Sequence, residues 1–388
     1  MKFLLLCEGD AETRDSWSGI TKSIVDELRA AGHTVRTADA ELYGADRWLA
    51  AGLTFSPNRR RWGAKFRLNA EPFLLRSRRA SAAFRRLGTG VDAILQIGAT
   101  FEITNRKGTP YFLYCDSNIG MAEHGAATGH SEASPLRTGE LARIRAREAR
   151  VYAGAATIFT ISERLRRSFI EDFGIRPERV CAVHAGPNFD VREIEARLES
   201  HVAHREAPTI LFVGAQFKRK GGDTLLAAFR SVRQRLPSAR LLVIGPERVE
   251  TEDAGVECLG FLDKNRPDHR AALLDAYASA DVFCLPTRFE PFGIVFLEAM
   301  YFGLPCVGTN AWAVPEMITD GVTGYTVPVD DAAALADRLL RLLSDPALAR
   351  RFGDAGREYA RCHFTWPAVA GRMMRAIEPV TSRQPVTA

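Results

Sequence analysis

Two glutamates and a short cationic run are the residues best suited to handle a charged, hydroxylated ligand. Glu290 and Glu298 lie in FEPFGIVFLEAM, with Pro291 and Gly293 between them. Asp281–Pro286 reads as a strand, Thr287–Phe292 as a loop and Ile294–Met300 as a helix. Pro291 fixes the chain before the turn, and Gly293 lets the backbone approach a ligand closely. The first amides of this helix, on Gly293, Ile294 and Val295, have no partner one turn earlier and so can bind a phosphate. Two carboxylates would repel a diphosphate, but they suit hydroxyl donors such as those of a sugar or a ribose. Glu290 leaves the loop toward the helix start, while Glu298 sits about a turn and a half inside.

The second stretch is TILFVGAQFKRKGGDTLLAAF, Thr209–Phe229. A buried strand gives way to a polar loop and then a helix. Lys218, Arg219 and Lys220 precede Gly221 and Gly222, which places three cations at a strand end that feeds a helix start. That arrangement is an anion trap, strengthened by the positive end of the helix dipole. Only seven of the 52 basic residues are lysine, and two of those seven lie here.

The elements that must carry these loops alternate along the whole chain. KFLLLC, HTVRTAD, DAILQIG, TPYFLYC, ATIFTIS and RVCAVHAG read as strands in the first half. TILFVGA, LLVIGP, VECLGFL, DVFCLPT and PCVGT do so in the second, with helical runs between. Such alternation predicts parallel sheets covered on both faces. The polar stretch Arg192–Pro208 separates the two sets. The expected division is an acceptor-binding domain over 1–191, a linker over 192–207, a nucleotide-binding domain over 208–365, and a C-terminal helix and tail over 366–388 that packs back on the lobes. Ligands in such sheets sit beyond the carboxyl ends of the strands, so two Rossmann-like lobes would face each other across a cleft.

Composition narrows the alternatives. The 388 residues are 46% hydrophobic and 26% charged, with a net charge of +5. That is ordinary for a soluble globular protein, suits a phosphate-bearing ligand, and does not require nucleic acid. The seven cysteines are scattered and never spaced C-x-x-C, which suits buried free thiols in a reducing cytoplasm. KFLLLC is too short for a secretory leader and is followed at once by Glu8 and Asp10. No apolar run reaches the ~20 residues of a membrane span. GTGVDA, Gly88–Ala93, precedes a strand instead of following one, so it does not fit a dinucleotide loop. No D-x-D pair, P-loop or H-x-x-x-H pair occurs, so no metal site is expected.

With these residues in view, Glu290-Pro-Phe-Gly-Ile-Val-Phe-Leu-Glu298 and the following AMYFGLP resemble the E-x7-E signature of retaining glycosyltransferases of family 4, which have the GT-B fold. FVGAQFKRKGG, GFLDKN, GVTGYTVPVDD and HFTWPAVAGRMM resemble further landmarks of that family in the same order. SWSGI, AAGHTV and PERVCAVHAGPNFD match it more loosely. The resemblance implies transfer of a sugar from a nucleoside-diphosphate sugar, as co-substrate without other cofactor or metal, to an acceptor hydroxyl. It implies that Lys220 binds the diphosphate, Glu298 the ribose and Glu290 the transferred sugar. It also implies that the amides of Gly293–Val295 hold the distal phosphate, Gly19 faces the donor, and Leu262 lies where backbone holds the base. Two positions depart from the pattern. Ala215 replaces the usual arginine after F-V-G, so Arg219 or Lys218 must supply that charge. Asp116 stands where a histidine is frequent, as the sugar contact from the first lobe, with His124 and His130 as substitutes.

Residues 58–87 hold ten basic residues against Glu71 alone, interleaved with Trp62, Phe66, Phe73 and Phe84. They read either as a solvated basic face or as a surface for an anionic membrane or acceptor. The expected partners are therefore a nucleotide-sugar donor, a sugar or lipid-linked acceptor and peripherally the inner face of a membrane, without nucleic acid. A nucleotide-sugar epimerase of similar shape and a degenerate, transferase-like scaffold subunit are the competing readings. Both glutamates of the pair argue against the first, and Lys220 with both glutamates argues against the second.

Overall fold

The computed structural model describes residues 1–14, 16–106, 108–200 and 207–382. The strands are β1 (Lys2–Cys7), β2 (Thr34–Asp39), β3 (Ala93–Ile97), β4 (Tyr111–Cys115), β5 (Thr157–Thr160), β6 (Val180–Ala182), β7 (Thr209–Val213), β8 (Arg240–Ile244), β9 (Val256–Gly260), β10 (Val282–Leu285), β11 (Cys306–Thr309) and β12 (Gly324–Val327). Residues 1–185 and 366–388 form one compact unit, and residues 186–365 form the other.

In the first unit the order is β2-β1-β3-β4-β5-β6, all parallel. Central strands β3 and β4 are buried along their whole length, which is why AILQI and YFLYC are nearly unbroken apolar runs. Helices α1 (Ile20–Ala30), α2 (Gly44–Leu53), α3 (Arg59–Leu68), α4 (Ala70–Leu87), α5 (Ile119–His124), α6 (Thr138–Ala153) and α7 (Glu163–Glu171) connect them. In the second unit the order is β12-β11-β10-β7-β8-β9, again parallel. Its helices are α8 (Val191–Ser200), α9 (Gly222–Arg235), α10 (Pro267–Ser279), α11 (Ile294–Tyr301), α12 (Val314–Met317), α13 (Ala332–Ser344) and α14 (Pro346–His363). The chain then returns to the first unit as α15 (Trp366–Thr381), whose Val369, Met373 and Ile377 are buried, with α1 among its neighbours.

The α/β class with two parallel, Rossmann-like sheets is the expected one. The division differs from the expected boundaries. It falls between Ala185 and Gly186, and residues 366–388 join the first unit. The stretch expected as a linker, 192–207, begins as helix α8, with Ile194 buried. Glu193 pairs with Arg270, Arg197 with Asp275 and Glu195 with Arg361, so this polar segment is fastened to the second unit by charge. Residues 201–206 lie outside the described residues. Strand β12 was not expected from sequence, because GYTV offers only four residues opened by a glycine. All seven cysteines are free, and burial pushes the Cys7 thiol up to about 12. No helix among the described residues is long and apolar enough to cross a membrane.

Candidate functional site

The sheet of the second unit reverses direction of growth between β7 and β10, the kind of position beyond whose carboxyl ends such sheets bind ligands. Both candidate stretches lie on the loops beyond these two strands. Gly221, at φ 73°, precedes α9, and a Cβ there would come within 1.8 Å of the Pro286 carbonyl oxygen. Only glycine lets the two loops approach this closely. The Arg288 amide donates to the Arg219 carbonyl at 2.9 Å. The Arg288 guanidinium pairs with Asp223 at 2.6 Å and Asp330 at 2.7 Å. The KRK turn is thus locked to the loop that carries Glu290.

Lys220 Nζ lies 2.7 Å from Glu290 Oε2, and the Arg219 guanidinium lies 3.7 Å from the same oxygen. Glu290 is only 6% exposed. Burial would raise its pKa, but the charges of Lys220 and Arg219 outweigh burial and hold it below the usual carboxylate value. Burial pushes Lys220 down, against the opposing pull of Glu290. Arg219 also donates to Gln216 and to the Phe289 carbonyl. Lys218 turns outward, and its carbonyl accepts from Arg288. Of the two cations considered as substitutes for the usual arginine, Arg219 is the one beside Glu290.

Gly293 takes φ 105° ahead of α11, and an added Cβ would meet the Phe296 ring at 2.9 Å. The Phe296 amide is the first to bond back, to the Gly293 carbonyl. The amides of Gly293, Ile294 and Val295 have no backbone acceptor among the described residues. Inside the helix, Glu298 is fully buried. Its Oε2 accepts from the Tyr277 hydroxyl at 2.9 Å, and its Oε1 from Lys264 Nζ at 2.5 Å. Lys264 also sits over the Phe189 ring, 4.6 Å from its centroid. Sequence reasoning missed Lys264 and Tyr277. The GFLDKN stretch was the available signal for Lys264, but it drew attention to Leu262, which is half-buried in the loop beyond β9. Among the described residues no group of three His, Cys, Asp or Glu side chains could hold a metal ion.

The first unit carries a separate cavity of about 580 Å³ near the ends of β1 and β4, lined by Glu8, Asp10, Glu41, Tyr43, Arg67 and Asp116 among others. The backbone shaping it is unusual. Trp17 and Ser18 take φ 51° and 53°, and Gly19 follows at 84° as the residue ahead of α1. The Trp17 ring lies so close to Gly98 that a Cβ there would stand 2.6 Å away. Asp116 is pushed up to about 6 by burial, with Arg67 opposing the rise. Below the cavity, Arg76 is 2% exposed and lies 3.2 Å from Glu8 and 3.7 Å from Glu41. His124 instead pairs with Asp172 at 3.1 Å, and neither His124 nor His130 lines the cavity. Glu8, Asp10, Glu41 and Arg67 were not singled out from sequence as site residues.

The basic stretch 58–87 is partly spent on internal pairs. Arg61 binds Glu140 at 2.8 Å, Arg67 binds Glu132 at 2.7 Å, and Arg79 stands 3.8 Å from Asp46. Arg59, Arg60, Arg78, Arg85 and Arg86 remain exposed.

Comparison with known proteins places this geometry in context. Residues 193–359 match the family described as glycosyl transferases group 1. A phosphatidyl-myo-inositol mannosyltransferase of Mycobacterium leprae is 38% identical over 184 residues, covering 46% of this chain and 48% of that protein. The chain thus spans about half the length of that relative. A GDP-mannose-dependent alpha-(1-6)-phosphatidylinositol monomannoside mannosyltransferase of Mycolicibacterium smegmatis is 30% identical over 273 residues, covering 66% of this chain and 68% of that protein. The solved sucrose-phosphate synthase of Thermosynechococcus elongatus shares the fold over 99% of this chain and 100% of its own, with a TM-score of 0.73 at 20% identity. The chain belongs to the glycosyl transferases group 1 family.

Proposed function

We propose that this protein moves a sugar from a nucleoside-diphosphate sugar to an acceptor hydroxyl with retention of configuration, as an E-x7-E transferase of family 4. The observation that carries the reading is the convergence, at one end of the sheet, of Lys220, Arg219, Glu290 and the free amides ahead of α11. The diphosphate takes hydrogen bonds from Lys220, Arg219 and those amides. Glu290, released from Lys220, accepts from hydroxyls of the transferred sugar. Glu298, steadied by Tyr277 and Lys264, accepts from the ribose. As the bond from the anomeric carbon to the phosphate oxygen breaks, negative charge grows on the diphosphate, where the fixed cations and the helix start already stand. The acceptor oxygen bonds to the anomeric carbon from the face of departure, and its proton passes to the leaving phosphate oxygen.

The cavity of the first unit takes the acceptor, with Asp116 and its neighbouring carboxylates accepting from hydroxyls. The acceptor is a sugar or a lipid-linked polyol, and the relatives named for phosphatidylinositol substrates favour the lipid-linked kind. Association with the surface of an anionic membrane accompanies that choice.

Thermal unfolding with UDP, GDP, ADP and their sugars, with and without EDTA, tests the donor half. GDP-mannose is the first to try, given the relative that depends on it. At about 100 times its Kd a ligand adds about 2.7 kcal/mol. At about 2–4 °C per kcal/mol, that predicts a midpoint rise of roughly 5–11 °C. A rise with one nucleotide, retained in EDTA, is the expected result. A flat response to every nucleotide would count against the reading.

A further inference from the structure

Five of the nine large apolar side chains exposed among the described residues fall between residues 43 and 55. They are Tyr43, Trp48, Leu49, Leu53 and Phe55, with Trp48 78% and Phe55 61% exposed. At about 100° per residue, Trp48, Leu49 and Leu53 occupy one side of α2. The opposite side is fixed: Ala50 and Thr54 are buried, and Trp62 Nε1 of α3 donates to the Ala51 carbonyl at 3.0 Å. The Phe55 ring meets Trp62 edge-on at 5.6 Å. The patch is therefore a rigid part of the fold that leaves its apolar side uncovered.

Its border is cationic. Arg47, Arg59 and Arg60 are exposed and make no ion pair among the described residues. The nearby carboxylate, Asp46, faces Arg79 at 3.8 Å. A second copy of the same patch would bring these arginines against their own counterparts, so like charge opposes self-pairing. Trp and Phe beside exposed Arg suit the interface of an anionic bilayer, where apolar rings enter the headgroup boundary and cations meet lipid phosphates. Tyr43 supplies the position of the patch, since it precedes α2 and also lines the cavity of the first unit.

We infer that α2 and the turn to Phe55 dock on an anionic bilayer, so that an acceptor still anchored in the membrane reaches the adjoining cavity with its polar head. The element that inserts precedes the basic stretch 58–87, and exposed arginines of that stretch serve as its border. The delivery part of the inference rests on the proposed acceptor role of the cavity, but the docking part does not.

The test is sedimentation of the full chain with vesicles of phosphatidylcholine alone and of phosphatidylcholine mixed with phosphatidylglycerol. The wild type should sediment with the mixed vesicles and lose part of that binding in high salt. The combined variant Trp48→Ser, Leu49→Ser, Leu53→Ser should bind at least about tenfold more weakly. Because these side chains are already exposed, its unfolding midpoint and its nucleotide response should match the wild type. Arg59→Ser with Arg60→Ser should remove mainly the salt-sensitive share. A wild type that stays in solution with both vesicles, or a triple variant that binds as well as the wild type, overturns the inference. So does a concentration-dependent dimer that the triple variant abolishes. Loss of nucleotide binding in the wild type would sink the proposed donor chemistry while leaving the vesicle result standing.

Discussion

The candidate site of the second unit and the cavity of the first both lie where a parallel sheet changes direction of growth, yet their charge is arranged in opposite ways. In the second unit each key carboxylate has a lysine on it, Lys220 on Glu290 and Lys264 on Glu298. In the first, Glu8, Asp10, Glu41 and Asp116 gather around a cavity with Arg67 as the cation in its lining. A paired carboxylate is held ionised even when buried, as Glu290 is. Asp116 is instead pushed upward, by burial first, with Glu132 and Glu8 adding to the rise and Arg67 opposing it. On the function proposed above, the lysines of the second unit turn from their carboxylates to a phosphate, whereas the carboxylates of the first unit accept from hydroxyls and disfavour an anion.

The sharpest way to break this contrast is at Lys220. Lys220→Ala should lower kcat by about 10²–10³, the cost of about 2.7–4 kcal/mol for removing one fixed donor to a developing charge. Steady-state kinetics with the donor identified by unfolding would read it. A change in KM alone would mean that Lys220 binds the ground state and the transition state equally.

A smaller effect, and one of opposite sign, is expected at Asp116. Burial pushes its carboxyl up to about 6, above the ordinary aspartate value of about 3.9. Its contribution to stability is therefore fully present below pH ~4 and is lost as pH rises through about 6. Asp116→Asn should be more stable than the wild type at pH 8, by on the order of 2–3 kcal/mol, and should lose that advantage near pH 4. Denaturation at the two pH values checks this, and an equal difference at both would show that the carboxyl is not strained by burial. The smallest effect belongs to Lys218→Ala. That side chain is exposed and makes no ion pair among the described residues, so donor turnover should change less than about twofold and stability by less than about 0.5 kcal/mol. If Lys218→Ala matched Lys220→Ala, the anion trap would be diffuse and the contrast between the units would fail.

Much of the second unit could be read from the chain because its site is local. A five-residue apolar strand leads into KRKGG, and a four-residue one leads into the loop of Glu290, so strand ends and cations were visible together. The pair of glutamates was legible for the same reason, both lying on one loop and one helix. Lys264 was not, since 34 residues separate it from Glu298 and only the folded sheet brings them together. Arg67 and Arg76 were read as members of a basic face, whereas acids distant in sequence neutralise them. Residues 192–207 looked like a linker because they are polar, yet a single apolar residue, Ile194, and three ion pairs fasten their first half to the second unit. The cavity of the first unit was least legible. Its lining comes from loops far apart in sequence, and Glu8 and Asp10 looked like acids that merely closed the first strand.

The return of α15 to the first unit also sets an order of events during synthesis. The second unit is one continuous stretch, residues 186–365, and can complete its sheet as soon as that stretch has left the ribosome. The first unit is begun earlier but lacks the helix that buries Val369, Met373 and Ile377 until residues 366–381 emerge. The half begun first is therefore completed after the second unit, and a chain stopped at residue 365 would leave that half with apolar surface open to chaperones and proteases.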